Sequence, residues 1–448
     1  MNLRNITYIF ILMLTPLSIS AQNGVNSPYS RYGFGIQADR SMGFNKGMSG
    51  VAQGFRDGQI INVANPASYS AVDSVTALFD IGITLQNGNY KIGKMQHNAR
   101  NTSIDYAAFH FRATKGLGVA MGILPYTNIG YSMKSNNETL AGNENITSHY
   151  SYAGSGGLHQ VFIGTGWAIS KPLSVGLNGS FLFGDYSHTT SMEFNDVNAY
   201  AQVRGYKADI STWMVDLAMQ FIQPIKKTDK LVFGINYGLG HNVNNRAIRY
   251  TETYNASSSL ANGITTDTLS NAFQLPHTFN IGVAYYKNAK LKVGADFELQ
   301  KWSECKYPVQ DATGQYISAK HQLNDKIRIS LGCSYTPNAR SGRTAESTSY
   351  KFGGYFSKSY ANTDQAFMKT DKPYEYGLSA GVSIPISNRN VYINRPKLNL
   401  SVQWTHTHIP YVSAASTTPT IGKLTENYLR FCIGLTFSER WFYKYKME

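Results

Sequence analysis

Residues 173–183 read LSVGLNGSFLF, and the order of residue types in this stretch decides the fold. Every second residue from Leu173 to Phe183 is large and apolar apart from one glycine, whereas the alternate positions from Ser174 to Ser180 are small or polar. A period of two places these sets on opposite faces of a β-strand, while a helix would need a period of about 3.6. The stretch therefore predicts a strand that lies between two unlike environments.

The same alternation continues over most of the chain from about residue 75 onward. The regular segments are about ten residues long and lie at 213–221, 231–239, 291–299, 327–335, 374–384, 398–404 and 429–437. Less regular segments of the same kind lie at 75–85, 103–112, 117–125, 158–169 and 277–286. Together they predict about fourteen strands.

Segments of this length favour a transmembrane barrel, because an outer-membrane strand needs about 9–11 residues at a tilt of about 45°. A soluble β-sandwich also alternates, but its strands average about five or six residues, and this chain would need several sandwiches with linkers. Closure removes the sheet edges that hydrocarbon cannot solvate. We therefore predict an all-β fold, a transmembrane antiparallel outer-membrane β-barrel of about 14 strands whose apolar faces contact lipid.

The composition agrees with this class and disfavours others. Charged residues make up 15% of the 448 residues, against about 25% in ordinary globular chains, which disfavours a helix-rich cytosolic enzyme. A mean hydropathy of −0.28 disfavours a helical membrane protein. The net charge of +14 permits outer-membrane lipid, lipopolysaccharide or nucleic acid as a partner, but no basic patch interleaved with stacking aromatics supports nucleic acid.

The N-terminal residues read as a secretory signal, with Arg4 before an apolar stretch at 6–17 and Ile19-Ser20-Ala21 before Gln22. We expect residues 1–21 to be removed, so that the mature protein begins near Gln22. A buried N-terminal helix or a membrane anchor is the alternative, which Pro16 and the short apolar core disfavour.

Residues 22–73 break the alternation and are rich in glycine. A free tail would lack apolar side chains such as Tyr29, Phe34 and Phe55. We therefore predict a compact plug, or hatch, inside the lumen, followed by the barrel at 74–448. Polar stretches predict long loops that face outward from the cell, because such barrels keep their periplasmic turns short; they lie at 135–145, 256–270 and 340–348.

A family resemblance rests on two separated stretches. The glycine-rich run at 43–52, followed by Asn65-Pro66-Ala67-Ser68, resembles the N-terminal hatch of the outer-membrane long-chain fatty acid transporter family, the FadL type. The stretch 275–303, with Leu275-Pro276, Ala295-Asp296 and Trp302-Ser303, is similar to that family's Leu-Pro, aromatic-strand and Trp-Ser pattern. The resemblance implies a barrel closed by a hatch, with hydrophobic ligands that enter from outside and leave sideways into the membrane.

In the resemblance, Asn65, Pro66 and Ala67 are structural gate residues of the hatch. Pro66 fixes its own φ and holds Asn65 in an extended conformation, which leaves the Asn65 amide free to bond the lumen wall. A simple turn is the alternative.

Gly118, Gly122 and Pro125 lie in the third candidate strand. Missing side chains and a missing N–H there interrupt pairing, and we predict a lateral opening at this strand. A plain bend of the barrel explains the same residues equally well.

Charged residues on the polar faces are predicted to point into the lumen. They are Asp216, Lys292, Asp296, Glu298, Arg328 and Glu375. Since unpaired charge in a poorly hydrated lumen is costly, we expect them to pair with one another or with charged plug residues, such as Arg31, Asp39, Arg40, Arg56 and Asp57. An open polar pathway is the alternative.

Aromatic residues near strand ends predict girdles at the two membrane interfaces, with ordinary β propensity as the alternative. These residues are Tyr285, Tyr286, Trp302, Tyr335 and Trp404.

No set of residues predicts catalysis, a metal or another cofactor. His406 and His408 share one strand face but lack an evident third ligand, and no hydrolase motif occurs in usable context. Three cysteines, Cys305, Cys333 and Cys432, form no disulfide framework. We therefore expect a protein that is not an enzyme.

Two functions remain open. The first is passive transport of small hydrophobic molecules, fatty-acid-like or aromatic, with the hatch as gate. The alternative is a non-transporting binding or protein-sorting subunit of an outer-membrane secretion machine built on the same barrel, with secretion proteins as partners. An outer-membrane hydrolase is a distant third for want of a nucleophile and a base.

Overall fold

A computed structural model describes residues 25–440 except 75, 136–137, 141–142, 197–198, 244, 256–260, 289, 312–314, 340, 363–371, 387–395 and 414–419. The predicted signal peptide at 1–21 and the predicted start at Gln22 lie outside the described residues.

Fourteen antiparallel strands form one closed sheet. They are β1 (Thr76–Ile92), β2 (Met95–Thr114), β3 (Leu117–Lys134), β4 (Asn143–Ala168), β5 (Leu173–Phe194), β6 (Tyr200–Pro224), β7 (Lys230–Gly238), β8 (Thr278–Lys287), β9 (Leu291–Gln300), β10 (Lys326–Tyr335), β11 (Ser349–Lys358), β12 (Tyr374–Pro385), β13 (Lys397–Ser413) and β14 (Thr420–Arg440). Each pairs with its neighbours along the chain, and β14 pairs with β1 from Thr76↔Arg440 to Ile92↔Leu424, which closes the barrel. The predicted strand number is confirmed.

Further elements accompany the barrel. The additional strands are Ile36–Gln37, Glu138–Leu140, His241–Val243, Asn245–Asn255, Ala261–Ser270, Phe273–Leu275, Tyr307–Gln310 and Tyr316–Ala319. The helical turns are Pro28–Arg31, Gly43–Lys46, Pro66–Ala71, Trp302–Glu304 and Thr344–Ser347. Within the described part of the chain, no helix has both the length and the apolar character needed to cross a bilayer.

The two faces of the strands follow the alternation. Large apolar side chains such as Phe181, Trp213 and Leu331 are exposed on the outer face. Polar side chains such as Asn178 and Gln220 are buried on the inner face. An apolar exterior and a polar interior are the arrangement that a transmembrane barrel requires, so the predicted partition is confirmed.

The two ends of the barrel differ. At the short-turn end, where β1 begins, β2 passes to β3 through residues 115–116 and β4 to β5 through 169–172. At the opposite, long-loop end, β7 passes to β8 through residues 239–277.

The predicted loop at 256–270 contains a strand of a β-hairpin instead. Ala261–Ser270 pairs with Asn245–Asn255, which pairs in turn with the outer part of β6. The polar composition of 256–270 does not predict a strand, because residues 263–268 are exposed on both faces and so show no alternation.

The predicted outward position of the loop 340–348 is wrong. This loop joins β10 to β11 at the short-turn end, where Tyr335 pairs with Leu291 and Tyr350, and Thr344–Ser347 within it is a helical turn.

The girdle prediction is wrong for two of its residues. Tyr286 is 5% exposed and Trp302 is fully buried, whereas Tyr335 and Trp404 are exposed on the outer face. Tyr286 lies on the inner face of β8, where its hydroxyl accepts a hydrogen bond from the Arg56 backbone N–H. Parity in the alternation decides that Tyr286 faces inward, whereas Trp302 lies in a helical turn beyond the end of β9 and is buried there.

The described N-terminal residues, 25–73, pack against the inner face of the barrel, and we call them the N-terminal segment. Near its start, the Asn26 side chain donates to Asn101 of β2, toward the long-loop end. In its middle, Met48, Val51 and Phe55 pack with Val232 and Ala284 of β7 and β8. Burying these apolar side chains stabilises the segment in place.

An aromatic cluster holds the segment at the long-loop end. The ring of Phe34 lies 5.1 Å from that of Phe273 and 5.4 Å from that of Trp302, between ring centroids. Gly33 and Gly35 on either side have φ values of +61° and +87°. Only glycine adopts such angles readily, so these two residues allow the bend that points Phe34 into the cluster.

Candidate functional site

The carboxylate of Asp296 anchors the N-terminal segment to β9. It accepts hydrogen bonds from the backbone N–H groups of Ala52 and Gln53, at 2.6 and 2.9 Å. The Gln53 carbonyl accepts from Gln220 of β6 at 2.9 Å. Backbone donors that a carboxylate satisfies are buried at little cost, so this contact fixes the centre of the segment.

Asn65 stabilises the segment internally. Its amide donates to the Gln53 carbonyl at 3.1 Å, and its side-chain oxygen accepts from the Ala67 N–H at 3.1 Å. The expected bond to the lumen wall is therefore replaced by a bond within the segment. The reason is local, because Pro66 begins a helical turn and Asn65 caps it.

Glycines of the wall let the backbone of the segment approach closely. A Cβ on Gly176 would lie 2.2 Å from the Ala67 nitrogen, and one on Gly166 would lie 2.4 Å from the Pro66 carbonyl oxygen. A Cβ on Gly234 would lie 1.9 Å from the Gln53 carbonyl oxygen. Sequence reasoning missed these residues, although a glycine at an inward-facing strand position is a signal for close approach of another backbone.

Three ion pairs join the segment to the wall. Arg40 lies 2.9 Å from Asp216, Lys46 lies 3.2 Å from Asp105, and Asp57 lies 2.6 Å from Lys292. Burial is the largest single influence on Asp57 and would raise its pKa. The charges of Lys292 and Lys397, together with hydrogen bonds from Lys292 and the Gln59 N–H, outweigh burial and hold that pKa well below its ordinary value. Asp57 is therefore ionised in the paired state.

The other predicted lumen charges lie nearby. Lys326 of β10 is 3.5 Å from Glu298. Arg328 donates to the Ser49 carbonyl at 3.1 Å, and its guanidinium carbon lies 4.0 Å from the centre of the Tyr355 ring. Glu375 contributes to the wall of a cavity.

This cavity has a volume of about 910 Å³. Its lining combines the charged side chains Arg328, Glu375 and Arg430 with apolar ones that include Ile83 and Ile104. Ile83 and Ile104 are exposed on the outer face of β1 and β2. The cavity therefore extends from the interior to the outer surface.

The wall is interrupted where the cavity reaches it. Strands β2 and β3 pair only from Ala107↔Ile123 to Thr114↔Leu117. Residues 95–106 of β2 and 124–134 of β3 have no pairing with each other, and we call this interruption the seam. The short strand Ile36–Gln37 pairs with Thr127 and Asn128, on the β3 side of the seam.

The three residues of the predicted lateral opening have different positions. Pro125 borders the seam, at a register shift in the pairing of β3 with β4. Gly122 lies in the paired part, opposite Ala108. Gly118 lies near the short-turn end, where a Cβ would be 2.0 Å from the Tyr69 carbonyl oxygen. The structure thus brings only Pro125 to the seam.

Histidines and cysteines form no further site. His406 bonds Asn427 at 2.8 Å, and no group of three His, Cys, Asp or Glu residues suited to a metal occurs among the described residues. Cys305, Cys333 and Cys432 are free thiols.

A sequence profile of the BamG family matches residues 3–448. The chain belongs to the BamG family. No curated protein sequence matches this BamG-family chain.

Solved structures share the fold of this BamG-family chain. The toluene transporter TodX of Pseudomonas putida is 11% identical, covering 91% of this chain and 99% of its own, with a TM-score of 0.60. A FadL homologue of Pseudomonas aeruginosa is 10% identical, with coverages of 90% and 99% and a TM-score of 0.59. The toluene transporter TbuX of Ralstonia pickettii is 15% identical, with coverages of 89% and 98% and a TM-score of 0.54.

At these identities the likeness concerns the fold. The FadL-type resemblance is confirmed at that level, and the BamG-family chain is a bacterial outer-membrane β-barrel.

Proposed function

We propose that the protein passively transports small hydrophobic or amphiphilic molecules across the outer membrane. In this proposal the N-terminal segment is the hatch that gates the lumen, with residues 65–67 keeping it folded. The seam between β2 and β3 is the lateral exit, and Pro125 helps to keep it open.

The observation that carries this proposal is the cavity of about 910 Å³, because it joins the lumen to the lipid-facing surface at the seam. A volume of this size accommodates a ligand of about drug size. A molecule that leaves through the seam would pass directly from a protein pocket into hydrocarbon without crossing water.

The lining favours a ligand with an apolar body and one polar or charged end. Ile36, Ile83 and Ile104 offer apolar contact, while Arg328 and Arg430 offer positive charge. A fatty-acid-like molecule satisfies both, whereas a plain aromatic hydrocarbon would leave the charged part of the cavity to water. Outer-membrane lipid and lipopolysaccharide would surround the barrel, and no cofactor or catalytic step enters the proposal.

A reversible lock on the hatch tests the proposal. The hydroxyl oxygens of Ser49 and Ser379 lie 2.8 Å apart, so Ser49→Cys with Ser379→Cys places two thiols within reach of a disulfide. With the three native cysteines replaced by serine, we expect oxidation to lower uptake of a fluorescent fatty acid at least tenfold.

Reduction should restore uptake in the same cells, and each single-cysteine variant should be indifferent to oxidant. If the oxidised, cross-linked protein takes up the probe as fast as the reduced protein, the hatch does not gate transport.

The second candidate is a non-transporting binding or protein-sorting subunit of an outer-membrane machine. The family assignment supports it, because the matching family is BamG and not a family named for transport. The extended strands at the long-loop end, such as Asn245–Asn255 and Ala261–Ser270, would provide a surface for protein partners.

Two measurements separate the candidates. Transport predicts uptake by the purified barrel alone in lipid vesicles. The subunit function predicts that the barrel co-purifies with defined secretion proteins at a constant molar ratio after gentle extraction from native membranes. It also predicts no uptake by the barrel alone.

A further inference from the structure

The outer half of β2 is an unprotected sheet edge. Residues Met95 to Ile104 pair with β1 in unbroken register, from Ile92↔Met95 to Ile83↔Ile104. Their other side, which faces the seam, has no pairing with β3. Natural edge strands are usually blunted by lysine, proline, a bulge or short length. The sequence of this stretch, MQHNARNTSI, contains no lysine and no proline, Arg100 is its single charged residue, and the register shift comes only beyond it.

The opposite side of the seam already accepts a strand. Ile36 and Gln37 pair antiparallel with Asn128 and Thr127 of β3. The Ala38 N–H donates to the Tyr126 carbonyl at 2.9 Å. Backbone added from outside the barrel sheet is therefore accommodated on one edge of the seam, while the β2 edge has no such addition among the described strands.

A hydrophobic ligand in the seam would not satisfy this edge, because hydrocarbon offers no hydrogen bonds to backbone N–H and C=O groups. An extended polypeptide does offer them at every second residue. The edge begins beside the exposed Ile104 and continues past Arg100 and Asn98, so it rises from the apolar belt into the polar surface.

Charge indicates the chemistry of the added strand. Above the apolar belt, the outward positions of β14, β1 and β2 carry the exposed cations Lys423, Lys91 and Arg100. The outward positions between them, at 87, 89, 96, 98, 102, 425 and 427, are occupied by Asn, Gln and Thr. A strand with acidic side chains on its outer face would complement this surface.

We propose that the seam-facing edge of β2 is a docking site where an extended acidic segment of another polypeptide adds as an antiparallel strand along residues 95–104. The docking uses backbone groups of the wall and does not require transport. Because Arg100, Thr102 and Ile104 also line the cavity at the proposed lateral exit, an added strand would close that exit.

Amide hydrogen exchange of the full chain in lipid nanodiscs tests the site. Successive N–H groups of an antiparallel strand point to alternate sides, so those facing β1 should be protected and those facing the seam should exchange. A ten-residue peptide that alternates threonine and glutamate should slow exchange of the seam-facing set at least tenfold. The same peptide with lysine in place of glutamate should have less than a threefold effect.

Proline substitutions provide the matched control. His97→Pro and Asn98→Pro are adjacent, so one removes a seam-facing donor and the other a donor to β1. In the variant that lacks the seam-facing donor, the peptide should no longer slow exchange of the seam-facing amides, while the β1-facing amides stay protected. The other variant should still respond to the peptide.

Cross-linking keeps the test valid if a proline variant fails to fold. A thiol at Asn98→Cys should form a disulfide with a peptide cysteine at one register and not at its neighbours. A thiol at Lys91→Cys, on a strand with both sides paired, should not. Equal yields at both sites, or protection of the seam-facing amides by lipid alone, would overturn the proposal.

Discussion

The two outer edges of the β1–β2 hairpin differ in how much of their length is paired with a neighbouring strand. β1 is paired with β14 along all of its 17 residues, from Thr76 to Ile92. β2 is longer, at 20 residues, but pairs with β3 only from Ala107 to Thr114. Both strands alternate, so alternation determines which face is apolar, while other features determine where neighbours remain joined. Pro125, which lacks an N–H, and the register shift beside it lie where the pairing fails.

The largest effect is expected in the continuously paired part of the wall, away from the seam, where the N-terminal segment contacts β5. Gly176→Ala should displace the N-terminal segment, because the new Cβ would lie 2.2 Å from the Ala67 nitrogen. Overpacking of this kind costs about 1–3 kcal/mol. We expect a large rise in single-channel conductance in planar bilayers. Gly179→Ala is the matched control on the same strand, since its nearest atom would be 3.9 Å away. Equal conductance of the two variants would show that contact at Gly176 does not retain the segment.

An intermediate effect is expected at the ion pair between Asp57 and Lys292. In the native protein the pKa of Asp57 is lowered, so the pair stabilises the segment above the ordinary carboxylate pKa and fails only as pH falls below it. Lys292→Met should cost about 2 kcal/mol at neutral pH, because it removes the ion-pair partner of the partly buried Asp57 carboxylate and leaves Lys397 as the remaining cation that acts on it.

In this variant burial, already the largest influence on Asp57, is opposed only by Lys397 and the Gln59 N–H. We therefore expect the pKa of Asp57 to rise, and acidification to stabilise the segment instead of releasing it. Conductance measured from pH 7 to pH 4 should therefore fall for the variant and stay level for the native protein. Parallel pH profiles for the two proteins would contradict the assigned role of the pair.

The smallest effect is expected at the seam itself. Pro125→Thr restores a backbone donor and should extend the pairing of β2 and β3 by a few residues, with a gain in stability below about 1 kcal/mol. Ligand uptake should fall about twofold if the seam is the exit. Pro410→Thr is the control, because Pro410 lies in a continuous pairing with Lys423. An unchanged uptake rate in Pro125→Thr, with pairing extended, would exclude the seam as the exit.

The sequence predicted the barrel because a period of two, over segments long enough to cross the bilayer, puts apolar side chains on the lipid-facing side and polar side chains on the inner side of each strand. Phe181 and Asn178 fall on the faces that their polarity requires, and the same rule placed Asp216 and Lys292 inside. Pairing between strands depends on two segments at once, which a pattern within one segment does not show. Pro125, which lacks an N–H, was therefore the sequence feature that correctly indicated the seam. Asn65 was assigned to the wrong partner because a helix cap and a wall contact need the same side-chain chemistry.

Phe34 links the surface of the protein to its interior. Tyr307 donates to the Gly33 carbonyl at 3.0 Å, and Tyr360 accepts from the Phe34 N–H at 3.1 Å. Both tyrosines belong to connections at the long-loop end. Anything that pulls those connections outward must either break these bonds or draw Phe34 with them. If the N-terminal segment is the proposed hatch, displacement of these loops would therefore move it directly, without a change in the barrel wall.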